Sequence, residues 1–256
     1  MLTKSMVLAV ACGSLAFGCS AQPADDTQEI IDNLVTAGFQ PDDIMVVNGE
    51  VFTGLDAKVT LEASREMVTA PPAGQEQYRT TNLLGTNITT ICVNGAAFTN
   101  ATLSNGLNMA IANYNALGLR FTMRRTTGST TGCSATITAR TTTGTGGFSG
   151  FPSGGRPFNA INIGTQNPQF GVDTVEHIIT HELGHTIGFR HSDFFNRAIS
   201  CGGAATNEGD GGVGAILIAG TPSGATLGGS IMNSCFRASE TGEFTASDIT
   251  ALNAIY

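Results

Sequence analysis

The sequence is short of positive charge. Twelve Lys and Arg stand against twenty Asp and Glu, and no lysine follows Lys58. Such a chain offers no electrostatic footprint for nucleic acid, which is excluded as a partner. Histidine is scarcer still, with four residues, all between positions 177 and 191. Any imidazole chemistry is therefore confined to that stretch. None of the cysteines has C-x-x-C spacing, which argues against a cysteine-built metal site. The N-terminal apolar run, Met6 to Phe17, is too short to span a bilayer.

That run, preceded by Lys4, reads as an export signal. Ala16-Phe17-Gly18-Cys19 resembles a bacterial lipoprotein cleavage box, although Phe17 fits it poorly. On this reading, residues 1–19 are removed or anchored and Cys19 becomes the lipidated residue; ordinary secretory cleavage after Ala21 is the rival. Either way the protein is expected outside the cytoplasm, touching membrane only through such an anchor, and as a monomer. The remaining cysteines, Cys92, Cys133, Cys201 and Cys235, allow three pairings. Cys92 with Cys133 and Cys201 with Cys235 is the working choice, which spacing alone does not establish.

Charge divides the rest. Residues 20–85 carry eleven acidic and three basic side chains, and residues 86–256 carry nine and eight. Pro71-Pro72-Ala73-Gly74 marks the change in composition. The expectation is an acidic appendage over 20–85, with helical spacing at Ile30, Ile31, Leu34 and Val35 and again over 59–67, and one domain over 86–256.

The centre of that domain is His181-Glu182-Leu183-Gly184-His185-Thr186-Ile187-Gly188-Phe189-Arg190-His191, an H-E-x-x-H-x-x-G-x-x-H pattern. Residues i and i+4 share a helix face, so His181 and His185 can point at one ion. Gly188 can end the helix in a left-handed turn, and His191 then supplies a third nitrogen. Three neutral imidazoles suit Zn²⁺ and leave a fourth position for water, the mark of a catalytic site. Glu182 is the general base for that zinc-bound water. His177 precedes His181 by four residues but has no following Glu, so it reads as a neighbour on the same face.

These residues, with Gly229-Ser230-Ile231-Met232-Asn233-Ser234 as a Met-turn and a closing helix over 244–256, resemble the metzincin zinc endopeptidases. Within them, His-Glu-Leu-Gly-His with Phe189-Arg190-His191-Ser192-Asp193 is most similar to the bacterial dual-action HEIGH metallopeptidases. The resemblance implies an α+β fold: an α/β-like N-terminal subdomain with a twisted mixed sheet and active-site helix, then a small C-terminal subdomain with the Met-turn and last helix. It implies Met232 beneath the metal, protein or peptide substrates, and an edge strand that pairs with extended substrate. Ser234 stands where several metzincins carry a tyrosine, so that tyrosine is not supplied here. Some metzincin propeptides present Asp to zinc in a Phe-x-Gly-Asp context. Phe52-Thr53-Gly54-Leu55-Asp56 is similar with one extra residue, which makes Asp56 a candidate latency ligand; the plainer reading is an exposed turn aspartate.

The remaining elements follow from pattern. Strands are expected over 88–93, 119–123, 135–139 and 158–163, with a helix over 99–117. The active-site helix is expected from about Val172 to Phe189, started by an Asp173–Glu176 capping box, with Val172, Val175, Ile179, Leu183 and Ile187 as its buried stripe. Asn207, Glu208 and Asp210 fit a calcium loop no better than ordinary turns. The leading function is a zinc-dependent endopeptidase; the alternative is an exported, zinc-containing binding or adhesion module that does not cut.

Overall fold

The computed structural model describes residues 24–68, 77–209, 215–222 and 224–256. The export segment and Asp210 lie outside the described residues, as do Pro71-Pro72-Ala73-Gly74. No helix among the described residues is long and apolar enough to cross a membrane.

The chain opens with α1 (Ala24–Thr36), then the short strands β1 (Met45–Val47), β2 (Glu50–Thr53) and β3 (Ala57–Val59), then α2 (Leu61–Met67). Two turns interrupt the stretch 41–53, for local reasons. Pro41 starts a 3₁₀ turn over Pro41–Asp43. Asn48 and Gly49, at φ 53° and 79°, form the two-residue turn between β1 and β2. Thr60 caps α2 by accepting from Ala63 N at 3.1 Å, which leaves Val59 in the strand before it.

Next come β4 (Tyr78–Arg79), β5 (Thr90–Asn94), α3 (Ala101–Ala116), β6 (Thr122–Thr126), β7 (Ala135–Thr142), β8 (Gly147–Gly150) and β9 (Ala160–Gly164). They are followed by α4 (Val172–Thr186), α5 (Ala198–Cys201), β10 (Ile216–Leu217) and α6 (Ala246–Ile255). The strand expected over 119–123 sits three residues later, because Leu119 and Phe121 are spent filling the core ahead of it. Eight strands form one mixed sheet in the order β1-β2-β3-β8-β9-β7-β5-β6. β5 runs parallel to β6 and β7, and β7 parallel to β9, whereas β8 is antiparallel to β9. β4 leaves this sheet to pair with β10, and Thr80 N donates to Gly188 O, so residues from 77 onward are tied to the body behind the motif.

Two apolar clusters result. The larger joins Ile91, Val93, Ile137 and Ile161 of the sheet to Leu103, Leu107 and Ile111 of α3 and to Val175, Ile179 and Leu183 of α4. The smaller holds Ile30 and Leu34 of α1 with Val51, Val59 and Met67, and takes Phe151 from just past β8. The acidic appendage therefore has its own core but shares the sheet, through parallel pairing of β3 with β8.

The capping box expected at the start of α4 is absent. Gly171 occupies the cap at φ 96° with no side-chain hydrogen bond. Asp173 is exposed. Glu176 turns instead to Asn113 Nδ2 at 2.7 Å. Such a box does exist at α6, between Thr245 and Asp248. Val172 is only half-buried, but every residue of α4 from Thr174 onward is buried.

The crossing of α3 and α4 depends on Gly106. A Cβ there would lie 2.7 Å from Val175 Cγ1 and 3.1 Å from Glu176 N. Alanine in an open helix would gain about 1 kcal/mol over glycine. Here overpacking, at about 1–3 kcal/mol, wins because the peptide nitrogen cannot move aside. Gly106→Ala should lower the denaturation midpoint; a midpoint equal to or above wild type would contradict this packing.

Candidate metal centre

The spacing of the motif becomes geometry on α4. His181 and His185 lie one turn apart, and Gly188 at φ 110° reverses the chain, with Thr80 N hydrogen-bonded to its carbonyl. His191 returns beside them. The ring centroids are 4.7 Å apart for His181–His185, 5.2 Å for His181–His191 and 4.9 Å for His185–His191.

Each ring is oriented from behind. His181 Nδ1 lies 2.8 Å from Ile231 O, His185 Nδ1 2.8 Å from Phe189 O, and His191 Nδ1 2.7 Å from Glu208 Oε1. Carbonyls and carboxylates only accept, so each Nδ1 carries a hydrogen, and each ring in its neutral form turns an Nε2 lone pair inward. His191 Nε2 stands 3.3 Å from His181 Nε2. Two lone pairs facing each other at that distance repel unless a positive charge lies between them.

Asp56 supplies a fourth donor. Its carboxylate reaches all three rings, at 3.5 Å from His181 Nε2, 3.4 Å from His185 Nε2 and 3.3 Å from His191 Nε2. The plain reading of Asp56 as an exposed turn residue fails, since its side chain is 15% exposed. The four ligand atoms lie within 4.8 Å of one another, and among the described residues no other group of three or more His, Cys, Asp or Glu does the same. His185 Nε2 and Asp56 Oδ1 are buried without a hydrogen-bond partner. Buried polar atoms are seldom left unsatisfied. Three nitrogens and a carboxylate converging on one point fit a metal ion. His177 stays outside, with Nδ1 3.1 Å from Thr241 O and Nε2 3.5 Å from Glu240.

The electrostatics agree. Burial pushes the Asp56 carboxyl up, but the histidines reverse this and hold it well below the usual carboxylate range. Burial pushes His191 down, yet Asp56 and Glu208 lift it well above the ordinary imidazole value, so the site favours a positive charge, as a proton or as a metal ion. Glu182 is buried, which, with the Asp56 charge, raises its carboxyl well above normal. Ser149 Oγ on β8 opposes this, 2.7 Å from Glu182 Oε2.

Pattern alone missed several contacts. Glu208 sits in neither a calcium loop nor an exposed turn: it is buried, facing His191, with Arg190 Nη2 3.4 Å away. Asp43 accepts from Gly54 N at 3.1 Å and lies 2.8 Å from Arg197 Nη1. Gly54 fits where a Cβ would come within 3.0 Å of Glu208 Oε2 and 3.1 Å of His191 Nδ1. In the sequence, only the Phe-x-Gly context gave any sign of this turn. Met232 packs on α4 at Gly184, close enough that a methyl there would meet its sulfur, and Ile231 holds His181. Ser234 donates to Asp193 Oδ1 at 2.7 Å.

A cavity of about 180 Å³ opens beside the centre, lined by Asp56, Gly147, His177, Glu182, Ser234 and Phe236 among others. A larger one, about 250 Å³, lies beside Gln77, Tyr78 and Ser230 and includes none of the four clustered side chains.

The sequence pattern of the dual-action HEIGH metallo-peptidases matches residues 51–256, most of the chain and all of the site. The chain belongs to that family. It is accordingly a metallopeptidase, a hydrolase acting on protein or peptide substrates. No curated protein matches the sequence. Among solved structures the peptidase is similar to myroilysin, with TM-score 0.41 and 16% identity over 68% of this chain and 95% of that one. It is also similar to high choriolytic enzyme 1, a hatching enzyme zinc-protease from the medaka fish Oryzias latipes, with TM-score 0.41 and 16% identity over 68% and 92%. Both likenesses are too distant to bear on mechanism.

Two disulfides brace the peptidase: Cys92–Cys133 between β5 and the approach to β7, and Cys201–Cys235 between α5 and the segment after Met232. The second closes a loop with a sequence separation of 34, worth about 4 kcal/mol in loss of unfolded-chain entropy. A Cys201→Ser, Cys235→Ser double variant should lose stability of that order in denaturant titration. A loss under about 1 kcal/mol would show that the loop is held by its other contacts.

Proposed function

We propose that this protein is an exported zinc endopeptidase, held inactive by its own N-terminal segment. The observation that carries the reading is the convergence of three inward-facing Nε2 atoms and the Asp56 carboxylate within 4.8 Å of one another, with His185 Nε2 and Asp56 Oδ1 buried and lacking a hydrogen-bond partner. His181, His185 and His191 would hold the ion, a donor set that suits zinc. Zinc bound there supplies Lewis acidity, polarising a peptide carbonyl and lowering the pKa of water from about 15.7 towards about 7.

The chain's own groups do the rest. Glu182 lies beside the three rings at the wall of the cavity. It takes a proton from the attacking water and delivers it to the leaving nitrogen. Ser149 steadies the ionised form of Glu182. Met232 is structural, packed on α4 beneath the histidines. The substrate strand would be β8, which offers its outer edge to an extended peptide once β3 leaves.

The inhibited state rests on Asp56. It occupies the place among the rings that a water needs, and β3 directly after it lies along β8 with Ala57 opposite Ser149 and Lys58 opposite Gly150. Cleavage between 68 and 77 would release residues 20–68 while keeping β4 on β10. The disulfides suit an oxidising compartment. Lipid anchoring at Cys19 belongs to the same proposal and rests on the sequence.

Glu182→Gln should lower kcat/KM on casein or a peptide library by roughly 100-fold or more with zinc content unchanged; a zinc-loaded Glu182→Gln chain that still cuts would remove Glu182 from its role. Asp56→Ala in the uncleaved chain removes charge-assisted contacts worth about 2 kcal/mol, so activity before processing should rise roughly thirtyfold. Activity as low as in the uncleaved wild type would rule out Asp56 as the block.

A further inference from the structure

His181 and His185 share a helix, and backbone carbonyls orient them. His191 lies off the helix, on the segment that follows Gly188, and a side chain orients it: Glu208, 2.7 Å from Nδ1 and 2% exposed. A carboxylate is a stronger acceptor than a carbonyl and makes its partner ring a better donor to metal. Glu208 is itself held on every side. Its backbone N donates to Phe194 O at 2.7 Å. Its other oxygen lies 3.4 Å from Arg190 Nη2, and Ser234 Oγ and Arg197 Nη1 approach the first at 3.4 Å and 3.8 Å. Arg190 in turn donates to Gly209 O at 3.1 Å, and its guanidinium carbon lies 4.3 Å from the Phe39 ring centroid and 5.0 Å from that of Phe194.

We infer that Glu208 is a positioning residue for the metal: it fixes the tautomer and angle of His191 and so sets how tightly the third ligand holds the ion. The inference rests on the zinc reading and adds a residue that touches neither metal nor substrate. A buried carboxylate kept only for folding would need its arginine, but it would not need to end 2.7 Å from an imidazole nitrogen whose opposite nitrogen faces the metal focus.

The test measures zinc dissociation constants of the full-length chain by competition with a chromogenic chelator, for wild type, Glu208→Gln and Glu208→Ala. The visible spectrum of the cobalt-substituted forms is recorded beside them. Glu208→Ala should bind zinc roughly 10–100-fold more weakly and shift the cobalt bands. Glu208→Gln keeps an acceptor of the same length without the charge and should fall between the two. Both variants binding within about twofold of wild type, with unchanged cobalt spectra, would overturn the inference. If Glu208→Ala does not fold, Glu208→Gln decides by the same criterion. A wild-type chain that binds no zinc would sink the zinc reading and this inference together; wild type that binds as its variants do sinks only the inference.

Discussion

Three imidazole lone pairs aimed at one point are an arrangement that no apoprotein holds without cost. Their Nδ1 atoms are committed to Ile231, Phe189 and Glu208. Their Nε2 atoms are buried together, two of them 3.3 Å apart. Neutral rings so placed would repel, and His185 Nε2 has no hydrogen-bond partner. The fold tolerates this because the outer hydrogen bonds belong to the body of the structure: a carbonyl beside Met232, a carbonyl of the turn after Gly188, and a carboxylate wedged by Arg190. The metal proposed for the site, with Asp56 against it, is what makes the arrangement favourable.

The sheet explains why the N-terminal segment can serve as an inhibitor in the proposed scheme. β8 is paired on one side by β9 and on the other by β3, and Ser149 on β8 also touches Glu182. A single strand edge therefore communicates with the base, with Asp56 and with whatever peptide replaces the segment. The segment keeps a small core of its own around Ile30, Val51 and Met67, so it can fold yet depart without dismantling the larger cluster.

Much of this was legible in the sequence, and for one reason. The metal motif is a local pattern: i to i+4 on a helix, then a glycine reversal, with all three histidines within eleven residues. The Met-turn and last helix were readable by resemblance, and the helices of the appendage by their 3.6-residue period. Local signals that failed did so where a tertiary partner outbid them. Asp173 and Glu176 have capping-box spacing, yet Gly171 takes the cap and Asn113 takes Glu176. Leu119 and Phe121 have strand spacing but are drawn into the core before β6 begins.

By itself the sequence determined which three nitrogens can meet and which carboxylate stands beside them. Tertiary structure alone decided the partners. Glu208 lies 17 residues from His191, and Asp56 lies 135. Helical geometry constrains neighbours three or four positions apart, whereas contacts at those separations depend on the path of every intervening loop, which no local pattern encodes.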